Sequence, residues 1–324
     1  MKSMCRLFAA MTSLMLAGPV AAEDFPARPI TIVVPYTAGG STDIMARLIG
    51  QKLEERLGKP VVVELKPGAG TAIGATAVVK SAPDGYTLLM ATPTPMAINV
   101  TLHKNLGYDP AADFVPLVLI AQAPFILIVH PSLPVKSVQE LVNYAKANPG
   151  KLSYGSGGPG APHHLYAELL KSMTGIQMTH VPYKGTMPAL NDVVAGHIQL
   201  MFSDIPPAIG MVQSGKVRPL GVSTKARVAA FPNVPTIDES GVPGFDVAGW
   251  FMIVAPAKTP EPVVAKLHAE LKAIVASPAV SEQIAKLSLL PMKTPSIADM
   301  RAFVKSEIVR WGKVVQTAGI AGTE

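Results

Sequence analysis

Residues 30–43 read ITIVVPYTAGGSTD, a β-branched run followed by a proline, a glycine pair and a polar triplet. Ile30 to Val34 suit a strand buried on both faces, because β-branched side chains pack well on a pleated surface and present no polar face to water. Pro35 ends the ladder, and Gly39-Gly40 permit a tight turn with positive φ. Ser41 or Thr42 can then cap a helix carrying Met45, Leu48, Ile49 and Leu53 at helical spacing. A strand, a glycine turn and a helix N-terminus in that order aim several free backbone N–H groups at one point, which attracts carboxylate or phosphate. A plain strand-to-helix turn with no ligand fits the same residues.

The rhythm continues outward. Pro60 to Leu65 reads as a second strand, Lys66-Pro67-Gly68-Ala69-Gly70 as a turn, Thr71 to about Ser81 as a small-residue helix, and Tyr86 to Ala91 as a third strand. Alternating strands and helices imply parallel βαβ units, whose ligands gather at the carboxyl ends of the strands. Tyr36 to Asp43, Gly68 to Thr71 and Thr92 to Met96 would share that rim. Phe114 to Ile120 and Phe125 to His130 are further strands, and Ser137 to Glu140 is a capping box. Leu152 to Gly155, Met178 to Val181 and Ile198 to Phe202 repeat the pattern, with helices from Pro162 to near Gly175 and from Thr186 to Gly196. Trp250 to Ala255 is a late strand, and the helices that follow have too few strands to form a domain. They are expected to pack back on the first half. The chain would then cross between lobes near 121–125 and near 247–250, as in a clamshell that closes by hinge motion.

The 324 residues suffice for two cores, and 15% charged against 49% apolar residues describe a folded chain. Residues 1–22 read as a secretory signal, with Lys2 and Arg6 before an apolar core from Leu7 to Ala17 and small residues at Val20-Ala21-Ala22. Its loss reduces the formal charge from +6 to +4 and removes Cys5, the only cysteine. The exported chain then excludes disulfides, thiolate zinc sites and cysteine catalysis. Basic residues are dispersed without interleaved aromatics, which argues against nucleic-acid binding.

Gly155-Ser156-Gly157-Gly158-Pro159-Gly160 matches a dinucleotide pattern, but Pro159 interrupts it and His180, not an acid, ends the next strand. An anion loop using Ser156 and the amides of Gly157 and Gly158 fits better. His163 and His164 diverge by roughly 100° on a helix and cannot share a metal. His164 and Glu168 share a face without a third ligand. One of the two histidines can serve a carboxylate, the other the fold. A serine hydrolase built on Ser156 is the enzyme alternative, although Tyr154 stands where the nucleophile elbow needs glycine. Asp43 is awkward at an anion site and is expected to pair with Arg47 or to hold the glycine turn. Tyr36, Tyr183 and Trp250 are candidate pocket aromatics.

FPARPITIVVPYTAGGSTDIMAR, ELKPGAGTAIGA, SAPDGYTLL, KANPGKLSYGSGGPGAPHHL, THVPYKGTMPALNDVVAGHI and FPNVPTIDESGVPGF occur in one order along the whole mature chain. In them the chain resembles the periplasmic solute-binding receptors of the tripartite tricarboxylate transporter family. Leu65-Lys66-Pro67 replaces the usual Asn-Arg-Pro, and the loop after Ser156 also departs from the usual form. The resemblance implies an α/β, type II periplasmic-binding-protein fold, with 1–22 as signal, 23–122 plus 250–324 as one lobe and 123–249 as the other. It implies no catalysis and no cofactor or metal. It also implies a small organic carboxylate as ligand, a monomer, and membrane transporter subunits as partners, with an orphan sensing role as the alternative. Carried over by residue, it assigns the ligand to Tyr36, Gly39, Gly40, Thr42 and Thr92 from one lobe. Ser156, Gly157, His164, Ser203 and Asp204 serve from the other. Asp204 would disfavour a second carboxylate unless protonated or bridged by water.

Overall fold

Two mixed sheets with helices on their faces carry the chain, in a computed structural model that describes residues 25–324; the expected leader lies outside the described residues. In the first sheet β1 (Ile30–Val34) leads through α1 (Ser41–Leu57) to β2 (Val61–Leu65), and through α2 (Ala72–Val79) to β3 (Thr87–Ala91). β1 pairs in parallel with both β2 and β3. A π-turn at Thr94–Ile98 and the short helices α3 (Asn99–Leu102) and α4 (Pro110–Asp113) precede β4 (Phe114–Ala123). One residue later β5 (Phe125–Val129) enters the second sheet, followed by α5 (Val138–Ala147), β6 (Leu152–Ser156), α6 (Pro162–Thr174) and β7 (Met178–Pro182). Then come α7 (Thr186–Ala195), β8 (Leu200–Asp204), α8 (Ile205–Gln213) and β9 (Arg218–Val222). β10 (Gly249–Pro256) returns to the first sheet, with α9 (Glu261–Ala276), α10 (Pro278–Lys286), β11 (Leu290–Pro291) and α11 (Ile297–Thr317) behind it.

The strand orders are β11-β4-β10-β3-β1-β2 and β7-β6-β8-β5-β9. The rhythm of the sequence predicts parallel pairing, and that holds for β1 with its neighbours and for β6 with β7 and β8. The strands beside the crossings are antiparallel instead: β10 to β3 and β4, and β5 to β8 and β9. A strand arriving from the other lobe necessarily runs opposite to one leaving for it, and Gly249 accordingly faces Ala123.

α1 buries Met45, Ala46, Ile49 and Leu53 against the first sheet, each large side chain contributing about 1.5–3 kcal/mol over the exposed state. Its start differs from the sequence expectation. Gly40 is the cap, Ser41 is already helical, and the Asp43 carboxylate reaches back to accept from Gly39 N–H at 2.9 Å. The same carboxylate pairs with Arg47 at 2.8 Å, so both roles expected of Asp43 are filled together. Gly185 caps α7, which starts at Thr186 as the sequence predicts. α11 packs on β4, and its buried Trp311 stacks on Tyr166 of α6 at 6.0 Å and 11°, joining the first lobe to the second. No helix among the described residues is long and apolar enough to cross a membrane.

Candidate ligand cleft

A narrow cleft with a free volume of about 30 Å³ lies where the two lobes face each other. The first lobe supplies Tyr36, Thr37, Gly40, Ser41, Thr42, Thr92 and Pro93. The second supplies Phe125, Pro162, His163, Thr186 and Asp204. The strand ends at the crossings, Ala123 and Gly249 to Phe251, close the floor.

The helix starts converge on this space. Ser41 and Thr42 open α1, Pro162 and His163 open α6, Thr186 opens α7, and Asp204 precedes α8. A helix N-terminus leaves backbone N–H groups without internal partners and carries a partial positive charge, so the starts of α1, α6 and α7 favour a bound anion, whereas α8, opening Ile205-Pro206-Pro207 behind the Asp204 carboxylate, offers little. No lysine or arginine lines the cavity. An anion there is held by amides and hydroxyls. Two such hydroxyls, Thr37 Oγ1 and Ser41 Oγ, are buried without a partner, a cost that a ligand oxygen would relieve.

The second lobe adds a polar triad. Gly157 N–H donates to His163 Nδ1 at 3.3 Å, which assigns the proton to Nε2. His163 Nε2 then donates to Asp204 Oδ2 at 2.9 Å, and the Thr186 hydroxyl donates to the same oxygen. Burial alone would raise the Asp204 carboxyl, but the imidazole and the hydroxyl outweigh it and hold the group below its ordinary value. Opposite, the Tyr36 hydroxyl shares a 2.9 Å hydrogen bond with Thr92 Oγ1. Burial pushes that phenol up to about 12, so it stays neutral.

Of the ten residues assigned from the sequence, Tyr36, Gly40, Thr42, Thr92 and Asp204 line the cavity. The other five stand behind it. Gly39 N–H is engaged by Asp43. The Gly157 amide orients His163. Ser203 Oγ turns to the Asp204 carbonyl at 3.0 Å. Ser156 Oγ sits between Gly158 and His180 Nε2, 2.6 Å from the latter. His164 accepts from Gly160 N–H at 3.1 Å and stacks on His180 at 3.9 Å, so the histidine that reaches the cavity is its neighbour His163. The Ser156–His180 contact thus lies outside the cleft, with His180 held by stacking between Tyr154 and His164. Tyr183 turns away to Asp192 at 2.5 Å, whereas Trp250 forms part of the wall. Thr37 carries no sequence signal beyond its place in the rim loop, whereas Ser41, His163 and Thr186 show in the sequence only as residues at helix starts.

A family model described as the tripartite tricarboxylate transporter family receptor matches residues 45–320. The chain is 36% identical over 306 residues to Protein BugT of Bordetella pertussis, an alignment spanning 94% of this chain and 93% of that protein. Its structure is similar to that of R. palustris Rpa4515 with adipate, at a TM-score of 0.89 and 41% identity, covering 92% of this chain and 99% of that one. It is also similar to MatC from Rhodopseudomonas palustris with bound malate, at a TM-score of 0.85 and 34% identity, covering 90% and 100% of the two chains.

Proposed function

This chain belongs to the tripartite tricarboxylate transporter family of receptors, and from that premise we propose that it captures a small organic carboxylate between its lobes in the periplasm. The protein is a two-lobed α/β solute-binding receptor and not an enzyme. The observation that carries the ligand class is the meeting of three helix N-termini, those of α1, α6 and α7, and the unpartnered hydroxyls of Thr37 and Ser41 in a cavity without a basic side chain. Such a site grips one carboxylate through amides and hydroxyls. The adipate and malate carried by two similar structures support the same class.

In this reading Tyr36, Gly40, Thr42 and Thr92, with Thr37 and Ser41, receive the ligand from the lobe built of 23–122 and 250–324. His163, Thr186 and Asp204 complete the cleft from 123–249. Gly39, Ser156, Gly157, His164 and Ser203 hold the loops that present them. The loaded form, acting as a monomer exported by the 1–22 leader, delivers its acid to membrane transporter subunits.

A thermal-shift screen of the mature chain against malate, adipate and other small acids, each beside its amide, tests the reading. Saturation at about a hundred times the dissociation constant adds roughly 2.7 kcal/mol, a visible rise in Tm. A rise with an acid and not its amide is expected. A rise only with uncharged solutes would overturn the carboxylate assignment.

A further inference from the structure

The protein has two tryptophans, and both donate their indole N–H to one oxygen of one buried carboxylate. Glu307, in the middle of α11 and 5% exposed, accepts at Oε2 from Trp250 Nε1 at 2.7 Å and from Trp311 Nε1 at 2.9 Å. Its other oxygen pairs with Arg310 Nη1 at 3.2 Å. A buried acid is an expensive way to fill space, since an apolar side chain of similar volume is often no less stabilising. What the carboxylate adds is direction.

Trp250 needs direction because there is space on both of its sides. It lines the ligand cleft, and it also lines a second cavity of about 100 Å³ together with Gln122, Met292, Phe303, Glu307 and Arg310. Phe303 meets it only edge-on, at 5.4 Å and 65°. Without an acceptor for its N–H the indole would be held between the two cavities by packing alone. Trp311 carries the same anchor across to the second lobe, through Tyr166 and then Phe125, another wall of the cleft, 4.9 Å from the Tyr166 ring.

We infer that Glu307 is a positioning residue for ligand selectivity. It fixes the Trp250 indole as a rigid wall and thereby sets the length and shape of hydrocarbon body that the cleft accepts. This rests on the carboxylate-receptor reading above.

Binding of malate, adipate and intermediate dicarboxylates to the mature chain, measured by calorimetry with tryptophan emission recorded alongside, tests it. Glu307→Leu removes the acceptor, whereas Glu307→Gln keeps an amide oxygen for both indoles. The ratio of affinities between the short and long acids should shrink about tenfold in Glu307→Leu, the scale on which a methylene's worth of pocket shape counts. Its emission should shift in the absence of ligand, and Glu307→Gln should stay close to the wild type in both respects. A merely structural role would lower Tm and leave the ratio unchanged, and that outcome overturns the inference. So does a Glu307→Gln variant that loses selectivity as fully as Glu307→Leu. If Glu307→Leu does not fold, Trp250→Phe, which keeps a ring but no N–H, must change the ratio by itself, and an unchanged ratio overturns the inference equally. A wild type that binds no acid overturns the receptor reading, and this inference with it. A wild type whose selectivity the variants retain overturns this inference alone.

Discussion

A Cβ placed on Gly185 would stand 2.0 Å from Thr37 Oγ1 and 3.1 Å from Thr37 Cβ, across the seam between the lobes. Gly39 and Gly40 border the same seam, where added carbons would meet Met187 Cγ at 3.0 Å and Thr186 Oγ1 at 3.4 Å. Gly185 has φ 165°, an extended backbone open to any residue, and the nearest atoms to a side chain there belong to Thr37 of the opposite lobe. Gly185→Ala should therefore fold with a Tm near that of the wild type and resist closing. Carboxylate affinity is expected to fall by at least about tenfold, because the competent form becomes a minor population. Solution scattering should show the wild type contracting on adding the acid and the variant not. A variant that contracts and binds normally would remove this seam from the closing movement.

The Asp204 carboxyl is held below its ordinary value of 3.8: burial pushes it up, but the His163 imidazole and the Thr186 hydroxyl more than reverse that. A carboxyl with a lowered folded-state pKa contributes stability above 3.8 and loses that contribution as pH falls through the lower value. His163→Ala leaves the charge one donor short, so it should cost about 1.5–3 kcal/mol near neutral pH, the worth of a hydrogen bond to a charged group. The cost should shrink in more acid solution, once the carboxyl is protonated. Urea melts near neutrality and below about pH 4 would show it. A cost independent of pH would assign His163 to packing alone.

The stacked rings of His164 and His180 make a second prediction about acid. Burial lowers His164 to about 4, helped by the Lys171 charge, and lowers His180 to about 3, helped by His164 itself. Both start from 6.5, so the unfolded chain binds more protons than the folded one below that value. Their contribution to stability is full above 6.5 and declines as pH falls toward the folded values. Tm should thus begin to drop at mildly acid pH, before the carboxylates titrate. His180→Phe keeps a ring in the stack but cannot take a proton. Its Tm should start lower, through loss of the Ser156 contact, and fall less steeply with acid. An equally steep fall would place the acid sensitivity elsewhere.

What could be read in advance was local. Pro35 and Gly39-Gly40 force a turn wherever they stand between a β-branched run and a helical one, so the approach to the cleft was legible in residues 30–43. The helix phase at α6 was not. His163 and His164 are adjacent, both are buried, and only the packing of Leu165, Tyr166 and Leu170 decides which one reaches the cavity. β9 has no strand pattern of its own, since Pro219 and Gly221 interrupt it, and its antiparallel ladder with β5 holds it as an edge strand. α8 begins Ile205-Pro206-Pro207, a pattern that also suits a rim loop, and prolines are tolerated in a first turn, where the missing N–H has no helical partner to lose. Glu307 is beyond any local pattern, since Trp250 lies 57 residues away.

Ser156 tests how far the cleft extends. Its hydroxyl donates to Gly158 O and accepts from Gly158 N–H, both at 3.1 Å, and shares a hydrogen bond with His180. The side chain is fully buried and faces none of the cavity. Ser156→Ala strands the Gly158 amide and a ring nitrogen of His180, so it should cost about 1–3 kcal/mol of stability, the penalty for buried groups left unpaired. Affinity for an acid, measured well below the unfolding transition, should change by less than about tenfold, or 1.4 kcal/mol. Neither form should hydrolyse esters, because His180 is placed by aromatic stacking and the serine it touches has no opening to a substrate. A larger loss of affinity at unchanged Tm would put the Ser156 hydroxyl in direct contact with the ligand, and would mean that the loop from Gly157 to Gly160 rearranges when the acid binds.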